Sequence, residues 1–298
     1  MTIQHGFAKL DDVTLHYAEA GAENDELVIL LHGFPEFWYT WRRQIPEIGK
    51  KFHAVAPDMR GYNLSDKPEG LENYRVPHLI KDVVSLAKHF GHEKFYLVSH
   101  DWGAAVAWSV ALAVPDLVKG LIVLNGPHPY IFSKLLEEND TQIEQSQYMA
   151  DFRQEGIEDK LLANNCDWLW NWTFEKHFEA GQITEEDKQA YLNAWQRPDA
   201  LVSMLSYYRA SPLTPRPRSK GEKGLDLDPE TFIVKVPTLV VWGEEDHALI
   251  PENIDGIEAF VPDLKLIRLP GVTHWVTHEE PARTSKEIVS FLTELEKR

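Results

Sequence analysis

The sequence predicts an α/β fold: a mostly parallel sheet flanked by helices, with a helical cap inserted into it. Three observations carry this. Short apolar runs alternate with amphipathic helical patterns through residues 1–127. The alternation then stops, and an aromatic-rich stretch with helical spacing follows over residues 128–215. Finally, the strand-and-helix alternation resumes and continues over residues 216–298.

Residues 27–31 (Leu27, Val28, Ile29, Leu30, Leu31) form a continuous apolar run, as a strand buried on both faces requires. Residues 54–56, 95–98, 121–124 and 238–241 read the same way. Residues 264–269 alternate apolar with charged side chains, which suits a strand nearer the sheet edge. Between the strands, Leu79, Ile80, Val83, Val84, Ala87 and Phe90 recur at helical spacing. Ile288, Val289, Phe291, Leu292 and Leu295 give a C-terminal helix its buried face. The inserted stretch carries Tyr148, Phe152, Trp168, Trp170, Trp172, Phe174, Phe178, Trp195, Tyr207 and Tyr208. It closes on a turn-prone segment with Pro212, Pro215 and Pro217, followed by the charged residues 220–223. The division expected is a core of residues 1–127 and 216–298 with a cap of residues 128–215.

Composition narrows the partners. Over 298 residues, 43% are hydrophobic and 26% charged, ordinary values for a globular chain. Lys and Arg total 30 against 47 Asp and Glu, a formal charge of -17, which disfavours nucleic acid and anionic membranes. A small neutral substrate is expected instead. The single cysteine, Cys166, has no intramolecular disulfide partner. The opening residues lack a charged segment followed by an apolar run, and no stretch is apolar enough to span a bilayer. A cytoplasmic location is expected; nothing in the pattern speaks to the oligomeric state.

The most informative segment is Phe95-Tyr96-Leu97-Val98-Ser99-His100-Asp101-Trp102-Gly103-Ala104-Ala105. A buried strand runs directly into a helix start through a turn of the form small-x-nucleophile-x-Gly. This is the nucleophile elbow of hydrolases, with Asp101 where a serine commonly stands. The turn is strained, so its neighbours must be small, and Ser99 and Gly103 comply. The helix N-terminus beneath favours negative charge. The plainer role for Asp101 is to cap that helix. A carboxylate nucleophile needs no base to activate it. It attacks saturated carbon and leaves an alkyl ester, whose hydrolysis does need a base to activate water.

In this fold the nucleophile is followed in the chain by an acid and then a histidine. Trp242-Gly243-Glu244-Glu245-Asp246-His247 follows the strand at 238–241, so the acid falls at the carboxyl end of a strand, where sites of open α/β sheets form. Asp246 is the candidate, with Glu244 and Glu245 as substitutes. Asn125, after the preceding strand, is neutral and unsuited to the role. Among 13 histidines, position selects His274, in the loop after residues 264–269. His274 and His278 stand one helical turn apart, as metal ligands sometimes do. The Glu of an HExxH motif is absent, so neither a metal nor another cofactor is expected. The backbone N–H of Trp102 and that of Phe34, in His32-Gly33-Phe34-Pro35, are the candidate oxyanion-hole donors. The Phe34–Pro35 bond, in a tight turn, is a candidate for cis geometry.

Taken together, His32-Gly33-Phe34-Pro35-Glu36, Asp58-Met59-Arg60-Gly61-Tyr62, Ser99-His100-Asp101-Trp102-Gly103 and Gly271-Val272-Thr273-His274-Trp275 resemble the α/β-hydrolase-fold epoxide hydrolases, particularly the soluble type. The resemblance spans nearly the whole chain and is weaker in the cap. It implies an apolar epoxide and water as substrates, and two cap tyrosines that donate hydrogen bonds to the epoxide oxygen. Leu205-Ser206-Tyr207-Tyr208-Arg209 places one at Tyr208; Tyr148-Met149-Ala150-Asp151-Phe152 places the other, more loosely, at Tyr148. Phe34, Trp102, Tyr148, Tyr208 and Trp275 are the expected substrate contacts, in a pocket that the cap aromatics make apolar. Asn63 stands where the family commonly has glycine. Haloalkane dehalogenases share the Asp-Trp-Gly elbow and are the alternative enzyme class. Their second halide donor is often an Asn just after His-Gly, where this chain has Phe34. A non-catalytic receptor on the same fold is the alternative outside enzymes, although it has no need of Asp101, Asp246 and His274 together.

Overall fold

The computed structural model describes residues 1–216 and 226–298. Among these residues, eight strands form one sheet in the order β1-β2-β4-β3-β5-β6-β7-β8. The apolar runs are its centre: β3 (Leu27–Leu31), β4 (His53–Pro57), β5 (Phe95–His100), β6 (Val118–Leu124) and β7 (Thr238–Gly243). These five pair in parallel, as does β8 (Leu264–Leu269) with β7. β8 lies at the sheet edge, as its alternating pattern predicts. Two strands join those expected. β1 (Gln4–Lys9) and β2 (Thr14–Ala20) form an antiparallel hairpin, and β2 pairs antiparallel with β4. β1 is mostly solvent-exposed, with even Phe7 59% exposed, so it carries no apolar run to mark it.

Helices α2 (Val76–His89) and α3 (Trp102–Ala113) cover one face of the sheet; α1 (Ile45–Ile48) and α12 (Pro281–Leu295) cover the other. α3 is apolar almost all round because it is wedged between the sheet and α2. β3 lies between β4 and β5, so the connections from neighbouring β3 and β5 leave in opposite directions. That switch point opens a crevice beyond their carboxyl ends, where ligands of open α/β sheets bind. Phe34 and Asp101 follow those two ends.

Among the described residues, seven α-helices lie between β6 and β7: α4 (Pro129–Glu138), α5 (Asp140–Gln145), α6 (Tyr148–Asp151), α7 (Ile157–Thr173), α8 (Glu175–Glu179), α9 (Glu185–Trp195) and α10 (Ala200–Ala210). No strand occurs there among the described residues. α7 is broken at residues 163–166, where Asn164, Asn165 and Cys166 take positive φ. α9 starts on a capping box between Thr184 and Asp187. Polar contacts moor α9 and α10 to the sheet layer. Tyr207 Oη donates to Arg60 O at 2.9 Å, Trp195 Nε1 to Pro35 O at 2.6 Å, and Arg197 Nε to Asn63 Oδ1 at 2.8 Å. Asp187 pairs with Arg42 at 2.8 Å. Arg60 is itself gripped at both ends of its fork by buried Asp82, each bond 2.6 Å. Asn63 has φ 39°, a left-handed conformation that Asn tolerates better than most residues. Pro217 and the charged residues 220–223 lie outside the described residues. Among those described, no helix is long and apolar enough to cross a membrane.

Candidate active site

The chain turns from β5 into α3 at Asp101, whose φ of 50° and ψ of -119° lie outside the ordinary regions. Two glycines make this turn feasible. A Cβ on Gly103 would stand 2.2 Å from Leu31 O, and one on Gly33 would stand 2.4 Å from Asp101 Cβ. The elbow thus touches the loop after β3 on both sides. In that loop the Phe34–Pro35 bond is cis, and the Phe34 N–H donates to Asp101 Oδ1 at 2.7 Å. One candidate oxyanion donor therefore already holds one carboxylate oxygen, leaving the other free toward the crevice.

That free oxygen, Oδ2, faces His274 Nε2 at 3.7 Å, too long for a hydrogen bond. His274 Nδ1 sits 2.7 Å from Asp246 Oδ2. Asp246 is buried and fully partnered: Asn125 Nδ2 donates to Oδ2 at 2.8 Å, and the N–H groups of Ala248 and Leu249 donate to Oδ1 at 2.8 and 3.0 Å. The structure thus brings Asp101, His274 and Asp246 together, and Asn125 buttresses the acid. Glu244 points elsewhere, pairing with Arg268. Burial alone would raise the Asp246 carboxyl, but His274, the Asn125 amide and the Ala248 N–H outweigh it and hold it below the usual range. Burial likewise works to lower His274, yet Asp246 and then Asp101 raise it to about 9.

Tyr148 and Tyr208 face this carboxylate from the inserted helices, with ring centroids 6.0 Å apart. Burial foremost, and the Asp101 charge with it, pushes both phenols above their ordinary range, so they stay protonated. Around them lies a cavity of about 350 Å³. Phe34, Tyr148, Tyr208 and Trp275 line it, as expected of substrate contacts, whereas Trp102 does not. The Trp102 indole meets the Tyr208 ring in a T-shaped contact, with centroids 5.0 Å apart. Nor do the aromatics make the cavity uniformly apolar. Of the cap tryptophans only Trp172 lines it, while Trp170 and Trp195 are consumed by the hydrophobic core. The outer wall is polar.

A family model described as the alpha/beta hydrolase fold matches residues 26–281. This chain belongs to the α/β-hydrolase-fold family. It is 38% identical to the AB hydrolase superfamily protein YfhM of Bacillus subtilis, over 96% of each chain. Human epoxide hydrolase 4 is 32% identical, over 97% of this chain and 79% of the human one. Among solved structures, an epoxide hydrolase of Bacillus megaterium in complex with an inhibitor has a TM-score of 0.88 and 37% identity, covering 97% of this chain and all of that one. Potato epoxide hydrolase I has a TM-score of 0.80 at 27% identity, covering 98% of this chain.

Behind the site, this α/β hydrolase buries a carboxylate that sequence reading left without a role. Glu36 is fully enclosed, 3.0 Å from His100 Nδ1 and 2.8 Å from His278 Nε2, with Tyr191 Oη donating to it at 3.2 Å. Despite burial, the two imidazoles hold Glu36 well below the usual carboxylate range. His100 Nε2 in turn donates to His274 O at 2.9 Å, which fixes the backbone of that loop. Burial drives His278 down to about 4. His274 and His278 therefore serve different carboxylates, although one helical turn separates them in sequence. The Glu36–His278 contact joins residues 242 positions apart, a separation that no local pattern signals.

Proposed function

We propose that this α/β hydrolase converts epoxides to vicinal diols through a covalent ester on Asp101. What carries the reading is the placing of two protonated phenols opposite a carboxylate whose Oδ1 already rests on the Phe34 N–H. Its relatives include proteins named epoxide hydrolases, which supports it further. The division of labour proposed is a core of residues 1–127 and 216–298 carrying Asp101, Asp246 and His274, and a cap of residues 128–215 carrying Tyr148 and Tyr208.

In the first step Asp101 Oδ2 attacks an epoxide carbon, the ring C–O bond breaks, and the departing oxygen takes a proton from the tyrosine pair. Oδ1 becomes the ester carbonyl oxygen, still at the Phe34 N–H, with the Trp102 N–H as second donor. His274 is held protonated at neutral pH in the resting protein, partly by the Asp101 charge. Esterification removes that charge and lowers the His274 affinity for protons; its proton passes to the tyrosinate left by the first step, which readies His274 as a base. In the second step His274, oriented by Asp246, takes a proton from water, whose oxygen attacks the ester carbonyl. The C–Oδ2 bond to the carboxyl carbon breaks, the leaving alkoxide takes the proton held on His274 and departs as the diol carrying Oδ2, and the new Asp101 carboxylic acid returns its proton to His274.

A haloalkane dehalogenase needs N–H donors at a halide. Phe34 supplies no side-chain donor, and the Trp102 indole does not line the cavity. The test is one turnover in ¹⁸O-water. The first diol should contain no solvent oxygen at the new hydroxyl; immediate ¹⁸O incorporation there would mean direct attack by water and remove the nucleophile role from Asp101.

A further inference from the structure

The outer wall of the cavity has a chemistry that epoxide opening does not use. Beyond Trp172 it is built by the end of α7, by α8 and by the turn that follows. Lys176, His177, Gln182 and Asn171 present polar groups there. His177 Nδ1 lies 2.8 Å from Gln182 Oε1, which directs the Gln182 amide nitrogen away from that bond and leaves His177 Nε2 free of it. Lys176 is solvent-accessible and, among the described residues, engages no carboxylate within 4 Å. In a chain with 47 Asp and Glu against 30 Lys and Arg, Asp101 is the one carboxylate among the described residues that lines this cavity. Among the described residues no acidic side chain other than Asp101 lines the cavity, although Glu175 and Glu179 stand on the same helix as Lys176.

We propose that this wall is a carboxylate subsite, with Lys176 as its charged member and the Gln182 amide beside it, so that the preferred substrates carry an anionic group at the end remote from the reacting carbon. The assignment deepens the epoxide-hydrolase reading and rests on it for the word substrate, but the subsite itself is a matter of binding alone. Tyr148 and Trp172, with ring centroids 5.3 Å apart, give the cavity that Asp101 and Lys176 both line an aromatic stretch. That stretch takes an apolar linker, which keeps the ligand anion from the carboxylate that would repel it. Trp172 is 40% exposed and stacks on Trp168, which gives the linker an apolar face at the mouth.

Binding of 6-phenylhexanoate and of its primary amide, measured by calorimetry at low salt, tests this without turnover. The two ligands share shape and apolar area, so their affinity ratio isolates the charge. The wild-type protein should favour the acid by about fivefold, the scale of one partly exposed ion pair, and 1 M salt should erase most of the preference. Lys176→Met keeps the apolar stem and should bring the ratio to one; Lys176→Glu should reverse it. Because each protein supplies its own ratio, a partly misfolded variant does not imitate the result. Equal affinities in the wild type, or a preference intact in Lys176→Met, overturn the subsite. A preserved binding preference with no diol from a carboxylate-bearing epoxide supports the subsite and overturns the epoxide-hydrolase reading.

Discussion

The two walls of the pocket are held in different ways. On the sheet side, Asp101, His274 and Asp246 follow the carboxyl ends of three strands and are fixed by directional bonds, each to the next or to backbone N–H groups. On the helical side, Tyr148, Trp172 and Tyr208 are placed by ring packing, and their anchoring comes one residue or one helix away, through Tyr207 and Trp195. Directional bonds tolerate little displacement, so that wall suits the chemical steps. Aromatic packing tolerates rearrangement, so the other wall suits the choice of substrate. Four sets of measurements break or sharpen this contrast.

The largest effect belongs to the sheet wall. Asp101→Ala should lower epoxide turnover by about 10⁴-fold or more, the scale of losing a nucleophile, and form no adduct. His274→Gln should instead stop after the first step. Intact-protein mass spectrometry should show one equivalent of substrate bound, and peptide mapping should place it on Asp101. An adduct elsewhere, or none, would detach the two residues from their separate steps.

On the helical wall, Tyr208→Phe and Tyr148→Phe should each slow ester formation by roughly 10- to 100-fold, since two donors share a role worth about 10²–10⁴-fold. Single-turnover rates read this directly. If either variant opens epoxides at the wild-type rate, that phenol is packing only.

The sheet wall also carries a pH signature. His274 is raised to about 9 in the folded protein, against about 6.5 in an unfolded chain. The folded form binds this proton more tightly, so the stability it contributes is fully present below about pH 6.5. It is then lost as pH rises through about 9. Tm should therefore fall between pH 7 and 9.5, and fall less in His274→Gln. An NMR titration of Asp101→Asn should show His274 releasing its proton at lower pH than in the wild type, because one of the charges raising it is gone.

The smallest effect tests the mooring of the helical wall. Tyr207→Phe removes the bond to Arg60 O and should cost about 1 kcal/mol of stability, read from the urea midpoint. KM should rise more than kcat falls if Tyr207 holds the substrate-choosing wall, while an unaltered KM would separate its role from Tyr208.

Much of this was legible in the residues in order. Asp101 announced itself because the elbow compresses a strand, a strained turn and a helix start into one pentapeptide. Asp246 and His274 followed from strand ends, since strands buried on both faces are continuous apolar runs. β1 escaped because an exposed edge strand is under no such requirement, and the partly buried β2 because His16, Tyr17 and Glu19 interrupt its apolar residues. Sequence by itself determined the α/β layering, the nucleophile and the order of its partners, because backbone sterics and burial act over a few residues. Only the tertiary structure decided that Trp102 packs against Tyr208, that Glu36 ties His100 to His278, and that the pocket is aromatic at one end and polar at the other. Those outcomes depend on side chains far apart in the chain meeting in one close-packed interior, where each position is settled by its neighbours in space.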